Sequence, residues 1–476
     1  VAIAGRLTAL AVAGSVCVRA AVDPDLWGHL RFGLDLAAAR RLTSVDPYSF
    51  TQDKPWINHE WLSELLFALV YRGAGVSGLL VLKISILAAA FLLLAAVTKE
   101  VQEDRRWWLL AVAIFGVGPI AATFRPQLWT ILGVAIVARI LSAQRGFWWL
   151  PIVFAVWANM HGGWIVGAAV AALWIAGRAI DTRDIRAQLP IGLPVALAIA
   201  ATIINPYGWR LWYFLATTVR MSRDISEWRP LWEAFQTSYM LLWPLTVGVV
   251  VTTAIARWRH MTWATLLPVI WLGVNGLFVS RLAPLFSEIA LLAVSQAWQA
   301  LPAERAPAPR GVIPFGAKVV VDALVLAYVT ITPFVRHVRC LHIDGRSAPD
   351  LVAAGAFDAP DVRGRLIIPF TWGEYGIWHW GPRLRVSMDG RRETIYSDDM
   401  LDLQGEVVAG SARGRDYLAR VRPEYVWLPH EGGRRTGEWL AGHGYRMDVT
   451  TPTSFIATRA DLPLLEPGTP KPACFQ

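Results

Sequence analysis

The chain has 476 residues, 55% of them hydrophobic and 25 of them tryptophan, with a formal charge of +9 and a mean hydropathy of +0.41. That composition excludes an ordinary soluble globular protein. The positive charge does not read as a nucleic-acid footprint, because the arginines lie between apolar segments, where they set membrane topology. Scarce lysine and abundant alanine and arginine point to a GC-rich bacterial genome.

A helix crosses a hydrocarbon core of about 30 Å with roughly 20 apolar residues. Eleven segments are predicted to do so: 1–21, 76–98, 107–124, 127–142, 147–160, 164–180, 189–204, 239–256, 262–279, 282–299 and 315–334. The first carries no cleavable signal peptide. Alternate loops hold the basic residues: Lys99, Arg105 and Arg106; Arg139 and Arg145; Arg178, Arg183 and Arg186; Arg257 and Arg259; Arg305 and Arg310. Those loops are cytoplasmic by the positive-inside rule. The loop 22–75, the turns at Arg125 and 158–163, loop 205–238 and everything after Pro333 then face outward. Loop 205–238 is the exception to the charge rule, with Arg210, Arg220, Arg223 and Arg229 among tryptophans. It suits either an anionic partner such as a lipid phosphate or an interfacial amphipathic helix.

From about Cys340 the composition turns soluble. Strands are predicted at 365–370, 383–388 and 424–429, helices within 396–420 and at 434–442, and a hairpin at 446–457. Strands interleaved with helices make a small α/β domain. The expected organisation is a transmembrane module 1–338 with its first external loop at 22–75, an extracytoplasmic domain 339–465 and a proline-rich tail 466–476. Cys340 and Cys474 are positioned to pair if both face an oxidising compartment; the alternative is two free thiols.

Charges and imidazoles are expensive in a membrane protein, so their placement is informative. The segment after the first span reads Val22-Asp23-Pro24-Asp25-Leu26-Trp27-Gly28-His29, and the same loop later supplies His59 and Glu60. Arg125, Asn159, His161, Asn205, Glu227, Arg281 and Glu288 also fall at or near the external ends of predicted spans. Clustering at one surface fits an enzyme of the outer leaflet better than a transporter, whose polar groups belong near the midplane. Taken singly, each residue reads better as a cap or an interfacial anchor; taken together, the cluster favours a functional site.

An acidic pair after the first span, an amphipathic segment, and then Lys54-Pro55-Trp56 resemble the GT-C class of membrane glycosyltransferases. That class includes protein O-mannosyltransferases and the aminoarabinose transferases of lipid A. The string Asp23-Pro24-Asp25-Leu26-Trp27 is similar to the corresponding loop of the oligosaccharyltransferase catalytic subunit. Trp372-Gly373-Glu374-Tyr375-Gly376 resembles that subunit's WWDYG motif, but lacks the second tryptophan and has Gly-Glu for Asp. HEWLSE, HGG, NPYG and EWxP stretches resemble a bacterial subgroup of GT-C-like proteins. A proline separates two aspartates where the mannosyltransferases carry adjacent Asp-Glu, and His59-Glu60-Trp61 stands in place of their Pro-Pro-Leu run.

The resemblance implies a polytopic α-helical membrane protein of about 11 transmembrane helices with a soluble C-terminal α/β domain, in a bacterial inner membrane. It implies inverting transfer of a sugar from a polyprenyl-phosphate donor to a glycan, lipid or protein acceptor on the extracytoplasmic face. Such transfer needs a base for the acceptor hydroxyl and positive charge for the departing phosphate. Asp23 or Asp25 is the candidate base, Asp23 leading; Asp23 equally suits an N-cap. Arg281 is the first candidate for donor phosphate and Arg125 the second, since a guanidinium grips phosphate bidentately. His29, His59, Glu60, His161, Asn205 and Glu227 are support or substrate-binding candidates. A divalent metal, if bound, is expected on Asp23, Asp25, His59 and Glu60. Asp389-Gly390-Arg391-Arg392 reads as a turn, with a possible substrate-facing role. Alternatives are oligosaccharyltransferase-like transfer to protein, a flippase of lipid-linked sugars, and a non-catalytic scaffold derived from the same fold.

Overall fold

A computed structural model describes residues 2–218, 226–233, 239–299, 315–343 and 348–475. Arg220, Arg223, Arg305 and Arg310 lie outside the described residues. In chain order the helices up to residue 339 are α1 (Ala2–Val18), α2 (Asp25–Ala39), α3 (Trp61–Val97), α4 (Glu103–Ala121), α5 (Gln127–Ala143), α6 (Leu150–Met160), α7 (Trp164–Thr182), α8 (Leu189–Ala201), α9 (Arg210–Thr218), α10 (Tyr239–Arg257), α11 (Trp263–Phe278), α12 (Ala283–Ala297) and α13 (Phe315–Arg339). Each expected span coincides with one of these. Among the described residues, three helices are long and apolar enough to cross a membrane by themselves: Trp61–Val97, Trp164–Thr182 and Gly316–Arg339. Others are shorter, and prolines inside α4, α8, α10 and α11 interrupt their ladders. Inside a bundle neighbouring helices re-satisfy the freed groups.

The chain divides into two compact units. One comprises Val1–Ala20, Ser77–Leu211 and Arg223–Arg339; the other comprises Ala21–Val76, Trp212–Ser222 and Cys340–Gln476. Within the first, α12 packs against α4, α5, α10 and α11, and nearly all its residues are buried. Small residues let backbones approach: a Cβ on Gly177 of α7 would collide with the backbone of Trp263 and Ala264 at the start of α11.

The second unit joins the loop after α1 to the C-terminal domain. Its further elements are β1 (Leu341–His342), α14 (Leu351–Ala354), β2 (Gly364–Ile367), α15 (Phe370–Trp380), β3 (Leu384–Val386), α16 (Asp398–Ala409), α17 (Ala412–Val421), β4 (Tyr425–Pro429), α18 (His430–Ala441), β5 (Tyr445–Thr450), β6 (Ser454–Arg459) and β7 (Cys474–Phe475). A five-stranded mixed sheet runs in the order β3-β2-β4-β6-β5, with β2 parallel to β3 and β4, and β6 antiparallel to β4 and β5. Apolar strand residues such as Val426, Leu428 and Phe455 bury against Leu403, Val407, Leu418 and Leu440 of the helices. The loop after α2 covers the outer edge of β3: Val386 N–H donates to Tyr48 O at 2.9 Å and Phe50 N–H to Val386 O at 3.1 Å. An exposed strand edge is thereby closed.

Cys340 and Cys474 form a disulfide, and β1 pairs antiparallel with β7 beside it. The adjacent Phe475 ring lies 6.4 Å from Trp27, 5.5 Å from Tyr71 and 6.1 Å from Trp378. The staple thus holds the chain's end against α2. The cysteines are separated by 134 positions, so reduction restores much freedom to the unfolded chain. Cys340→Ser is expected to lower unfolding stability by about 2–5 kcal/mol, measured by denaturant titration of tryptophan fluorescence; an unaltered midpoint would show the bond to be energetically idle.

Candidate functional site

The second unit concentrates the titratable residues of the loop after α1. Asp23 is buried, and its Oδ1 accepts from the N–H groups of Asp25 and Leu26, both at 3.2 Å. It therefore caps α2. Asp25, the first residue of α2, is half-buried, and His29 lies one turn on, on the same face. His29 Nδ1 is 3.4 Å from Glu64 Oε1, and Asn58 Nδ2 donates to Glu64 Oε2 at 2.5 Å. Burial works against a charged His29 ring, but the Glu64 hydrogen bond and the charges of Glu60, Glu64 and Asp25 outweigh it and push the imidazolium up to about 9.

His29, Glu60 and Glu64 each present a ligand atom, all within 4.8 Å of one another. One imidazole and two carboxylates form a donor set that suits a divalent transition metal. Of the four residues expected to bind metal, the structure brings only Glu60 into this group. Asp23 caps a helix, and His59 lies beside Glu60 with Nε2 to Oε1 at 3.7 Å while its ring tilts against Phe214. Glu64 was not singled out by sequence reasoning, although it follows Glu60 by one helical turn.

Glu374, from the WGEYG string on α15, is buried against α2. Its Oε2 accepts from Gly28 N–H at 3.1 Å. A Cβ on Gly390 would lie 2.6 Å from Asp25 Oδ1 and 2.7 Å from Glu374 Oε1, so glycine there lets the two carboxyl groups approach. Burial, then the charges of Asp25 and Asp389, hold the Glu374 carboxyl well above the usual range, with Arg391 opposing in part.

Arg391 of the 389–392 turn forms an internal ion-pair cluster. It is buried, with Nη1 and Nη2 donating to the two oxygens of Asp46 at 2.9 and 3.0 Å, and Nε and Nη2 donating to Asp389 at 2.8 and 2.7 Å. Asp389 and Arg391 of the 389–392 turn are thus paired with each other inside the protein.

In the first unit, Arg125 before α5, Arg281 between α11 and α12, and Glu227 come together. Glu227 Oε1 is 3.5 Å from Arg125 Nη1, and Oε2 is 3.8 Å from Arg281 Nη1. Burial opposes the Glu227 charge, but Arg125 and then Arg281 hold its carboxyl below the usual range. Gln127, with its amide oxygen turned to the guanidinium, accepts from Arg281 Nε at 3.3 Å, and Trp228 lies 5.7 Å from Arg281. His161 and Asn205 serve local turns. His161 Nδ1 accepts from Gly163 N–H at 3.1 Å and lies 2.6 Å from Thr130 Oγ1. Asn205 donates to Thr202 O at 2.7 Å and accepts from Tyr207 N–H at 2.8 Å.

The fold, an apolar helical bundle with a C-terminal mixed-sheet domain, resembles that of the GT-C membrane glycosyltransferases. Two solved proteins of that class share it over most of the chain. The oligosaccharyltransferase AglB of Archaeoglobus fulgidus, bound to an inhibitory peptide and a dolichol-phosphate, superposes with a TM-score of 0.56 at 12% identity, covering 96% of this chain and 75% of that one. Another structure of the same enzyme is a complex with zinc and sulfate. ArnT from Cupriavidus metallidurans superposes with a TM-score of 0.56 at 12% identity, covering 94% of this chain and 96% of that one. No protein-family profile and no curated protein sequence matches.

Glu374 gives a pH test. Its raised native value means that the folded protein keeps a proton that the unfolded chain releases above the ordinary carboxylate range. Stability is therefore complete below that range and is lost as pH rises towards the native value, by at most about 1.4 kcal/mol per pH unit. Glu374→Gln removes the titration and keeps an acceptor for Gly28. Its melting temperature is expected to exceed that of wild type by a margin that widens from pH 5 to pH 8; a constant margin would mean that Glu374 is ionised in the fold.

Proposed function

We propose that the protein is an integral-membrane glycosyltransferase of about 11 transmembrane helices. It moves a sugar from a polyprenyl-phosphate donor to an acceptor on the extracytoplasmic face of a bacterial inner membrane. The observation that carries this is the buried carboxylate–imidazole constellation at the head of α2 and α3 in a GT-C fold. ArnT supports it by matching nearly end to end, and AglB by having been captured with dolichol-phosphate. The Cys340–Cys474 disulfide supports an oxidising, extracytoplasmic location for the C-terminal domain.

In the proposed reaction the acceptor hydroxyl attacks the anomeric carbon as the bond from that carbon to phosphate oxygen breaks. The polyprenyl phosphate leaves with the electron pair, and the hydroxyl proton passes to a carboxylate. Asp25 takes that role ahead of Asp23, because Asp23 Oδ1 already serves two backbone N–H groups while Asp25 is half-exposed. Phosphate departs without a general acid, and Arg281 and Arg125 of the first unit are proposed separately as the groups that bind the donor's phosphate. His29, Glu60 and Glu64 are the residues that would hold a divalent cation, which when bound supplies Lewis acidity towards the acceptor oxygen. Transfer to a glycan or lipid is favoured over sequon reading in a protein, because Glu374 of WGEYG is committed to Gly28 inside the fold.

Asp25→Asn is expected to lower kcat about 10²–10⁴-fold with polyprenyl-phosphate sugar while the melting temperature is kept. Asp23→Asn, which preserves an N-cap, is expected to retain most activity. Full turnover by Asp25→Asn would remove the assignment, and lipid translocation without transfer would favour a flippase. For the metal, adding Zn²⁺ or Mn²⁺ to chelator-treated protein is expected to raise the melting temperature. Glu64→Gln should abolish that rise, and the same rise in Glu64→Gln would place the ion elsewhere.

A further inference from the structure

Some arginine–carboxylate pairs among the described residues are tight. Arg391 holds Asp46 and Asp389 with four contacts of 2.7–3.0 Å, and Arg365 holds Glu424 at 2.9 and 3.0 Å. These are the lengths of charge-assisted hydrogen bonds that fix structure. Glu227 is different. Its Oε1 accepts from Arg125 Nη1 at 3.5 Å, the long limit of a hydrogen bond, and its Oε2 stands 3.8 Å from Arg281 Nη1, so it neutralises charge while holding each guanidinium weakly.

The backbone of Glu227 is held by other means. Ser280 Oγ donates to Glu227 O at 3.0 Å, Ser280 N–H donates to Arg229 O at 3.2 Å, and Leu231 N–H donates to Leu277 O at 2.7 Å. These bonds pin the 227–231 segment to the end of α11 and the start of the turn that carries Arg281. The carboxylate can therefore swing away without moving the segment. All three charged side chains keep partial exposure, at 19%, 26% and 27% for Arg125, Arg281 and Glu227, so a solvent-borne anion can reach them.

We infer that Glu227 is an exchangeable counter-ion, which neutralises Arg125 and Arg281 while no donor is bound and yields them to the donor's phosphate. The inference rests on the proposal that these two arginines recognise that phosphate. Its consequence runs against the usual effect of removing a binding-site residue. Each phosphate must displace the carboxylate, so taking away the carboxylate's charge strengthens binding. Glu227 thus lowers affinity for the lipid phosphate and favours release of the spent carrier after transfer.

The test uses the full chain in detergent with farnesyl phosphate, and farnesol as the uncharged control. Glu227→Gln and Glu227→Ser are expected to bind farnesyl phosphate about tenfold more tightly than wild type. Glu227→Asp should remain near wild type, and farnesol affinity should not change in any variant. Arg281→Ala and Arg125→Ala should weaken farnesyl phosphate binding. Equal or weaker binding by both Glu227→Gln and Glu227→Ser, with the arginine variants still impaired, would overturn the counter-ion role and leave the phosphate assignment standing. Wild-type binding by both arginine variants would overturn the phosphate assignment and the counter-ion role together.

Discussion

The buried guanidinium of Arg391 is the constraint on which the arrangement of the acidic cluster depends. It lies between Asp46 of the loop after α2 and Asp389 of the C-terminal domain, with the rings of Phe32 and Trp56 each 4.7 Å away. Two carboxylates around one guanidinium leave a net negative charge in a desolvated place, which only dense hydrogen bonding makes tolerable. That bonding is present: Asp46 also accepts from the N–H groups of Tyr48 and Ser49, and Asp389 accepts from Tyr396 Oη. Residues 345 positions apart in sequence are thereby fixed to each other. Gly390 sits between the two clamped residues 389 and 391, and it is the residue against which Asp25 and Glu374 close.

Proton placement follows from that geometry. Asp25, Glu60, Glu64 and Glu374 crowd around α2, and burying so many negative charges demands compensation. His29 keeps a proton through its acidic neighbours against the effect of burial, and Glu374 keeps another through burial first and then the charges of Asp25 and Asp389. Those protons, or a cation among His29, Glu60 and Glu64, let the loop carry an acidic cluster without unfolding. In the other unit, Arg125 and Arg281 face Glu227.

Much of the architecture was legible in the sequence because hydropathy and charge alternation are local signals. Every expected span is helical, and the strands at 364–367, 384–386 and 425–429 fall within or at the ends of the predicted ones. The site was less legible. Asp23, His161 and Asn205 attracted notice as polar residues in apolar surroundings, yet each has a local structural task. Glu374 and Arg391 matter through contacts across more than 340 positions, which no periodicity announces. The proline-rich end gave the same difficulty: only pairing of β7 with β1 reveals that Phe475 packs on Trp27.

The division of charge also bears on why a fold of this kind can dispense with a protonated acid at the leaving group. A phosphate ester departs as a stabilised anion, so positive charge at the phosphate matters more than a proton delivered to it. Positive charge that is always available would also bind the spent lipid carrier and slow release. In the counter-ion role proposed for it, Glu227 resolves the conflict by competing for the same guanidiniums when the phosphate is leaving as well as when it arrives. Tight pairs such as Arg391 with Asp46 could not do this, since breaking them would expose buried charge. The 3.5 and 3.8 Å separations around Glu227 suit that proposed exchange.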